Sequence, residues 1–277
     1  MNCKIEKSKL VGKITCPANK SYTHRAIFLA ALSDGKSIVK KILRSNDTIA
    51  TINACRGFGV EVEELENNVT INNTINQTVQ SSIINAENSG TTIRIAIAIA
   101  ALSGGNTTLT GDESLRKRPM QPILDALQTM GVKTESDDGK PPIHMNGKIK
   151  GKEISINGDI SSQFISALLI IAPRLPEGLI INVEGDLVSK PYVDLTIAIM
   201  KKFGVEVKIE EKYKKYVVEH QIYKSTTFSI PSDFSNLALL LSANILLGDG
   251  LNIEISLDDM PQGDEAIVDI LERLGVN

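Results

Sequence analysis

Cationic and hydroxyl side chains stand together where apolar, helix-like stretches of this sequence begin. The segment PANKSYTHR carries Lys20, Ser21 and Arg25 ahead of such a stretch. A helix N-terminus presents unpaired backbone N–H groups and roughly half a positive charge. Together, the lysine, the hydroxyl and these N–H groups would hold a phosphate or a carboxylate. The alternative is an ordinary helix cap flanked by solvated cations.

A second cluster, ENSGTTIR (87–94), has the same character. Asn88, Ser89 and Gly90 form a small polar turn, where the backbone can approach a ligand. Arg94 follows one turn later, inside an otherwise apolar run. A buried cation is costly unless it is paired, so we expect Arg94 to face a cleft or a carboxylate. A structural salt bridge would satisfy it equally well.

The loop GDESLRKRPM (111–120) adds three more cations. Arg118 adjoins Pro119, which we expect to start a helix, and its planar guanidinium can bind a carboxylate or phosphate through two hydrogen bonds. Arg116 and Lys117 are better interpreted as part of a solvated loop.

Neutral donors dominate the third cluster. Ser161, Ser162 and Gln163 open an apolar helix-like run, and Ser189 and Tyr192 precede a later one. Serine hydroxyls at a helix start can bind phosphate together with the helix dipole. They can equally be ordinary caps.

Several other chemistries lack their sequence signals. The three histidines are scattered and there is no HExxH or CxxC motif, so we expect no metal site. There is also no GxGxxG, GxxxxGK[ST] or GxSxG motif, which would indicate a dinucleotide site, a phosphate-binding loop or a serine nucleophile. A net charge of −3 and 4% aromatic residues argue against a nucleic-acid binder. No apolar stretch reaches the ~18–20 residues that a bilayer requires, and the charged start resembles no signal peptide. We expect a cytoplasmic monomer of about two domains.

The elements that must position these clusters repeat along the 277 residues. The dipeptide Gly-Val closes a helix-like stretch at Gly59, Gly131, Gly204 and Gly275, at spacings of 72, 73 and 71 residues. The pattern predicts units of about 72 residues, each with helix, strand, helix and strands. The first helix of each unit is apolar on all sides and should be buried, with sheets outside. The predicted N-caps of these helices are Ser21, Ser89, Ser162 and Ser232. Prolines should open the second helices at Pro119, Pro191 and Pro261.

Six collinear motifs resemble the 5-enolpyruvylshikimate-3-phosphate synthase family. They are PANKSYTHRA (17–26), NSGTTIR (88–94), LTGDESLRKRPM (109–120), SSQFISALL (161–169), SKPYVDLT (189–196) and MPQGDEAIVDILERLG (260–275). The resemblance implies the α/β (α+β) inside-out barrel of enolpyruvyl transferases, built of βαβαββ units with buried helices and outer sheets. Residues 19–229 would form a complete three-unit domain, and residues 1–18 with 230–277 part of a second domain.

The implied reaction transfers the enolpyruvyl group of phosphoenolpyruvate to the 5-hydroxyl of shikimate 3-phosphate and releases phosphate. It belongs to the shikimate pathway of aromatic amino acid biosynthesis and needs no metal or cofactor. By the family motifs, catalytic Lys20 and Gln163 contact both small anionic substrates. The residues implied to bind shikimate 3-phosphate are Lys20, Ser21, Arg25, Ser161, Ser162, Gln163, Ser189 and Tyr192. Those on the phosphoenolpyruvate side, where glyphosate also binds, are Lys20, Asn88, Gly90, Arg118 and Gln163.

The resemblance also has a gap. Members have about 430 residues, and the family's acid/base aspartate and glutamate, with further phosphoenolpyruvate-binding cations, have no counterpart before position 277. We therefore expect this chain, as a C-terminally incomplete member, to be inactive alone and to bind shikimate 3-phosphate weakly.

Two other functions stay open. UDP-N-acetylglucosamine enolpyruvyl transferase has the same fold, but its usual reactive Cys is missing from the loop 111–118. A non-catalytic repeat scaffold would leave the cationic clusters without a ligand. RNA 3′-phosphate cyclase has related repeats, but the sequence shows no nucleotide-binding histidine pattern.

Overall fold

The computed structural model describes residues 9–72 and 81–276. Three successive units have the predicted order of helix, strand, helix and hairpin. The first unit comprises α1 (Lys20–Leu32), β2 (Lys36–Lys40), α2 (Asn46–Gly57), β3 (Glu61–Leu65) and β4 (Asn68–Asn72). The second comprises β5 (Ser81–Asn85), α3 (Gly90–Ser103), β6 (Asn106–Thr110), α4 (Gln121–Thr129), β7 (Lys133–Asp137) and β8 (Lys140–Asn146). The third comprises β9 (Glu153–Asn157), α5 (Ser162–Ile171), β10 (Leu179–Glu184), α6 (Pro191–Lys202), β11 (Lys208–Glu211) and β12 (Lys215–Val218).

Five further elements lie outside these runs. They are β1 (Leu10–Thr15), β13 (Thr227–Ser229), α7 (Phe234–Leu247), β14 (Gly248–Glu254) and α8 (Ala266–Arg273). β1 pairs in parallel with β14, so the two ends of the chain share a two-stranded sheet.

Each of the three units contributes a four-stranded sheet of the same topology. A parallel strand lies beside the strand that follows the first helix, and the antiparallel hairpin completes the sheet, in the orders β5-β6-β8-β7 and β9-β10-β12-β11. In the first sheet the parallel strand comes from far along the chain. β13 pairs with β2, with Thr227 opposite Ile38, and gives the order β13-β2-β4-β3. The third unit therefore connects back to the first.

The first helices of these units form the centre of the main core. Almost every residue of α1, α3 and α5 is buried, as their apolar composition predicts. α3 packs against α5 and α2, and α1 packs against α2 and α6. The prediction is wrong for the fourth such helix, because only Phe234 and Leu237 of α7 are buried. Within the described residues α7 packs against β1, β14 and the turn before α8, which leaves Leu239 and Leu246 exposed.

The repeated Gly-Val dipeptides end the second helices, as predicted. Gly59, Gly131, Gly204 and Gly275 all have φ between 80° and 83°. L-residues with a side chain rarely adopt this left-handed conformation, so glycine is the residue that lets the chain turn away from the helix here. The period of the sequence is thus the period of the helix C-termini.

The predicted N-caps are correct once and wrong three times by one or two positions. Ser89 caps α3 through its side chain. The residues that cap α1, α5 and α7 are Asn19, Ser161 and Asp233 rather than the predicted Ser21, Ser162 and Ser232. In each of these clusters several polar residues adjoin, and the extended backbone of one of them decides which side chain reaches the free N–H groups.

The prolines open one of the three predicted helices. Pro191 is the first residue of α6. Pro119 lies before α4, which begins at Gln121 because Met120, with φ −119° and ψ 3°, lies outside the helical conformation and is its N-cap. After Pro261 the chain first makes a 3₁₀ turn, Gly263–Glu265, and α8 follows.

A small second hydrophobic cluster lies apart from the main core. Cys16, Phe234 and Leu237 form it together with half-buried residues of α7, β14 and α8. The chain passes between the two clusters twice, once at Ala18 and once at Ser232. These two residues form an antiparallel bridge. None of the helices within residues 9–72 and 81–276 is long and apolar enough to cross a membrane.

Candidate functional site

The N-terminus of α1 places Lys20 at a helix mouth. Asn19 accepts a hydrogen bond from the Tyr22 N–H at 2.9 Å, which fixes the first turn. Lys20 is the first helical residue, and its half-exposed ammonium lies 3.2 Å from the Asp47 carboxylate of α2. An exposed pair of this kind contributes little to stability, so a stronger anion can replace Asp47 as the lysine's partner.

An open cavity of about 690 Å³ adjoins this helix mouth. Lys20, Ser21, Ser189 and Tyr192 line one side of it. The rest of the lining includes Asn19, Pro191 and Leu195. It also includes residues that follow Ser232, among them Asp233 and Gln262. The structure thus brings four of the predicted residues together around a space that fits a small metabolite.

Arg25 lies behind this cavity rather than in its lining. Its side chain is buried, and its donors reach Thr196 Oγ1 at 2.7 Å, the Ser21 carbonyl at 3.1 Å and Ser166 Oγ at 3.4 Å. Burial lowers the pKa of Arg25 to about 10. The group therefore stays charged at neutral pH while its partners are all neutral.

The N-terminus of α3 gathers a second pair of cations. A side-chain carbon on Gly90 would lie 2.9 Å from Nη1 of both Arg94 and Arg118. The absence of a side chain at this position therefore allows the two guanidinium groups to approach the first turn. Arg118 Nη2 also donates to the Asn88 carbonyl oxygen Oδ1 at 2.6 Å. Neither arginine forms an ion pair with a carboxylate in the part of the chain that the structure describes.

Arg94 connects this pair to the start of α5. Its Nη1 donates to Gln163 Oε1 at 2.7 Å, and its guanidinium carbon lies 5.3 Å from the centre of the Phe164 ring. Burial, followed by repulsion from Arg118, lowers the pKa of Arg94 to about 10. Of the surroundings expected for Arg94, neither a carboxylate nor a salt bridge is present within the described residues, because its acceptors are the Gln163 amide oxygen and the Gly90 carbonyl at 3.3 Å. The expected cleft stays a prediction.

The third cluster divides between cap and site. Ser161 caps α5 by accepting the Gln163 N–H at 3.3 Å. Ser162 is buried, and Gln163 is half-buried beside Arg94. Arg116 is exposed, and Lys117 pairs with Glu113 at 2.9 Å in solvent, which agrees with the interpretation of both cations as part of a solvated loop.

Asp47 is a residue of this region that the sequence analysis missed. Its carboxylate pairs with Lys20, and its backbone carbonyl lies 3.4 Å from the Thr92 hydroxyl of α3. It therefore connects the helix mouth of α1 to that of α3. The available signal was an acidic residue in the first turn of α2, next to a Ser that caps it.

The described residues contain no group of three or more His, Cys, Asp or Glu side chains arranged to hold a metal ion. The mouths of α1, α3 and α5 carry cations, hydroxyls and amides, and the mouth of α1 also carries the carboxylates of Asp47 and Asp233. Donors of this kind bind anionic oxygens, and they stabilise negative charge that develops on a substrate.

Comparisons with known proteins agree with this chemistry. The family model described as EPSP synthase (3-phosphoshikimate 1-carboxyvinyltransferase) matches residues 5–277. A 3-phosphoshikimate 1-carboxyvinyltransferase of Nitrosopumilus maritimus is 54% identical over all of this chain and 65% of its own length. The protein of that name from Methanothermobacter thermautotrophicus is 42% identical over 99% of this chain and 66% of its own length. The chain thus spans about two thirds of the length of these curated relatives.

Solved structures share the fold. EPSP synthase from Acinetobacter baumannii superposes with a TM-score of 0.81 at 25% identity, over 98% of this chain and 60% of that one. The enolpyruvyl transferase NikO from Streptomyces tendae superposes with a TM-score of 0.68 at 13% identity, over 96% of this chain and 62% of that one. The predicted inside-out α/β architecture of enolpyruvyl transferases is therefore confirmed.

Proposed function

Because the chain belongs to the EPSP synthase family, we propose that it provides part of the site for enolpyruvyl transfer from phosphoenolpyruvate to shikimate 3-phosphate. In the net reaction the 5-hydroxyl oxygen bonds to C2 of phosphoenolpyruvate. The bond from C2 to the phosphate ester oxygen breaks, and inorganic phosphate leaves carrying, in the net balance, the proton of the hydroxyl. Both substrates carry phosphate and carboxylate groups, which the cations at the helix mouths would neutralise.

One observation carries the proposal: Arg94 and Arg118 meet beside Gly90 without a carboxylate among the described residues. Two guanidinium groups at a helix N-terminus repel each other and the positive end of the helix dipole. A bound dianion removes this repulsion. We place the phosphoenolpyruvate phosphate here, with Asn88, Gly90, Arg118 and Gln163 as its neighbours.

We place shikimate 3-phosphate in the cavity at the mouth of α1. Ser21, Ser189 and Tyr192 line this cavity, and the hydroxyls of Ser161 and Ser162 at the start of α5 complete the proposed phosphate contacts. Arg25 acts indirectly, by donating a hydrogen bond to the Ser21 carbonyl behind the cavity. Lys20 lines this cavity and pairs with Asp47, whose carbonyl lies 3.4 Å from the Thr92 hydroxyl of α3. Its exchange of Asp47 for a substrate oxygen would stabilise negative charge in the transition state.

The division into domains is part of the same proposal. Residues 19–229 form one domain, and residues 1–18 with 230–277 belong to another. The three equivalent sheets and the separate small cluster around Cys16 and Phe234 support this division. We also propose that the protein is cytoplasmic and monomeric and that it acts in the shikimate pathway.

Calorimetric titration with phosphoenolpyruvate and with shikimate 3-phosphate tests the binding roles. We expect the 277-residue chain to bind each ligand. Arg118→Ala should weaken phosphoenolpyruvate binding by about tenfold, which corresponds to one charge-assisted hydrogen bond. Lys20→Ala should weaken binding of both ligands.

Arg116→Ala is the matched control, because Arg116 stands two positions from Arg118 but lies in solvent. Equal losses for Arg116→Ala and Arg118→Ala would indicate an unspecific effect of net charge and contradict the proposed site. Tighter binding of UDP-N-acetylglucosamine than of shikimate 3-phosphate would contradict the proposed substrate.

A further inference from the structure

A buried histidine and three hydroxyls form a chain across the first three helices. His24 Nδ1 of α1 lies 2.6 Å from Thr51 Oγ1 of α2, which lies 2.7 Å from Thr92 Oγ1 of α3. Thr92 Oγ1 in turn donates to Ser89 Oγ at 2.6 Å. All four side chains are at most 1% exposed. None of the binding roles proposed above uses His24, Thr51 or Thr92.

The direction of these hydrogen bonds follows from the number of protons. Each hydroxyl has one proton to donate. Because Thr92 donates to Ser89, Thr51 must donate to Thr92, and His24 must then donate from Nδ1 to Thr51. All the donors therefore point from α1 towards the N-terminus of α3.

The second ring nitrogen of His24 supports the same tautomer. Nε2 is buried and has no hydrogen-bond partner among the described residues. A buried N–H without an acceptor is rarer and more costly than a buried acceptor without a donor. The single proton of a neutral imidazole therefore belongs on Nδ1. The buried surroundings and the neighbouring cations Arg25 and Lys20 keep the ring neutral.

The hydrogen-bond chain ends at the N-terminus of α3, which carries the proposed phosphoenolpyruvate site. Ser89 caps α3 and accepts the Thr92 N–H at 3.2 Å as well as the Thr92 hydroxyl. The next residue is Gly90, beside which Arg94 and Arg118 meet. The two threonine hydroxyls also lie 3.4 Å from the carbonyl of Asp47, the residue that pairs with Lys20.

We propose that His24 is a positioning residue, which as the neutral Nδ1–H tautomer fixes the first turn of α3 against α1 and α2 through Thr51, Thr92 and Ser89. It sets the distance between Lys20 on α1 and the Arg94–Arg118 pair at α3. It does not contact either substrate. The part of this inference that concerns ligand affinity rests on the proposed function, and the part that concerns the hydrogen-bond chain does not.

The first test needs no ligand. ¹⁵N NMR of the imidazole should show a proton on Nδ1 and none on Nε2, with no protonation of the ring between pH 8 and pH 5. In Thr92→Val, hydrogen exchange of the backbone amides at positions 92 and 93 should accelerate about tenfold, as expected for the loss of one buried hydrogen bond. An Nε2–H tautomer, or unchanged exchange in Thr92→Val, would overturn the proposal.

Matched variants separate positioning from general loosening. Ser103→Ala removes a buried hydroxyl that bonds the Ala100 carbonyl at the other end of α3, and it should leave exchange at Thr92 unchanged. His24→Asn keeps a donor near the place of Nδ1 and should restore slow exchange, whereas His24→Leu should not. Thr51→Val tests the same link if His24→Leu does not fold. Equal behaviour of His24→Asn and His24→Leu would refute the directional chain.

The ligand arm uses phosphoenolpyruvate itself. His24→Leu and Thr92→Val should lower its affinity, while His24→Asn and Ser103→Ala should bind like the parent chain. If the parent chain binds no phosphoenolpyruvate, the proposed function fails, and the exchange and tautomer measurements still decide the role of His24. If the parent binds and all four variants bind equally, the positioning role is wrong.

Discussion

Arg94, one turn into α3, and Gln163, in the first turn of α5, are joined by a hydrogen bond of 2.7 Å from Nη1 to Oε1. An arginine only donates, so the amide oxygen of Gln163 must face Arg94. The Gln163 NH₂ group is thereby free to donate elsewhere. Two predicted site residues that are 69 positions apart thus fix each other's orientation.

Replacing Arg94 by Met should separate stability from binding. Arg94 is a largely buried cation whose Nε has no partner among the described residues, and Arg118 repels it. Its removal should leave the free energy of unfolding unchanged or raise it by about 1 kcal/mol. Phosphoenolpyruvate affinity should fall. Urea unfolding and calorimetry measure the two quantities, and a large loss of stability would contradict this account of the arginine.

Gly90→Ala should weaken phosphoenolpyruvate binding without unfolding the protein. The added carbon would approach the Nη1 atoms of Arg94 and Arg118 to 2.9 Å, so that both flexible side chains must shift. The helix itself tolerates Ala well. We expect about tenfold weaker binding, the equivalent of one altered charged hydrogen bond, at an unchanged melting temperature. Unaltered affinity would show that the arginines do not need to approach Gly90.

His24 should make the protein less stable as the pH falls. Burial, then repulsion from Arg25 and Lys20, lowers the native pKa of His24 to about 3, against an ordinary value of 6.5. The unfolded chain therefore binds more protons between these pH values, and stability is lost on going from pH 7 to pH 5, by about 2 kcal/mol. In His24→Asn this loss should disappear. Denaturant unfolding at both pH values provides the measurement, and an identical pH dependence of both proteins would contradict a neutral buried His24.

The glycine that ends α2 should be sensitive to backbone strain alone. Gly59 has φ +83°, and a side-chain carbon there would meet no atom of residues 9–72 and 81–276 within 4 Å. Gly59→Ala should therefore cost about 1 kcal/mol of unfolding free energy from the left-handed conformation. Gly59→Asn should cost less, because Asn tolerates this conformation better. Thermal unfolding of the pair distinguishes backbone strain from a steric clash, because a clash would affect the larger Asn at least as strongly as Ala.

Gln262 should hold the two chain passages together. Its Oε1 accepts from Asn19 Nδ2 at 2.7 Å and from the Phe234 N–H at 3.0 Å, and its Nε2 donates to the Ser232 carbonyl at 2.9 Å. Gln262→Leu should cost about 2–3 kcal/mol, since three partly buried polar partners lose their bonds. Gln262→Glu keeps the acceptor and should cost less. Equal losses in chemical unfolding would contradict the role of the acceptor.

Local physics makes the repeat readable in the sequence alone. A helix that must stop needs a residue with positive φ, so the period of Gly59, Gly131, Gly204 and Gly275 reported the period of the helix ends. The apolar composition of the first helices predicts their burial, which is correct for α1, α3 and α5 and wrong for α7 within the described residues. The helix starts were less certain, because Asn19 and Ser21 are both capping residues and backbone conformation alone selects between them.

Pairings between distant residues needed the folded chain. Nothing in Thr227–Ser229 marks it as the partner of β2, about 190 residues earlier, since a short strand accepts many parallel partners and packing selects one. The bonds of Lys20 with Asp47, Arg94 with Gln163, and His24 with Thr51 likewise join different helices. Residue types along the chain specify which groups can bind an anion. The packing of α1, α2, α3 and α5 specifies which of them stand close enough to act together.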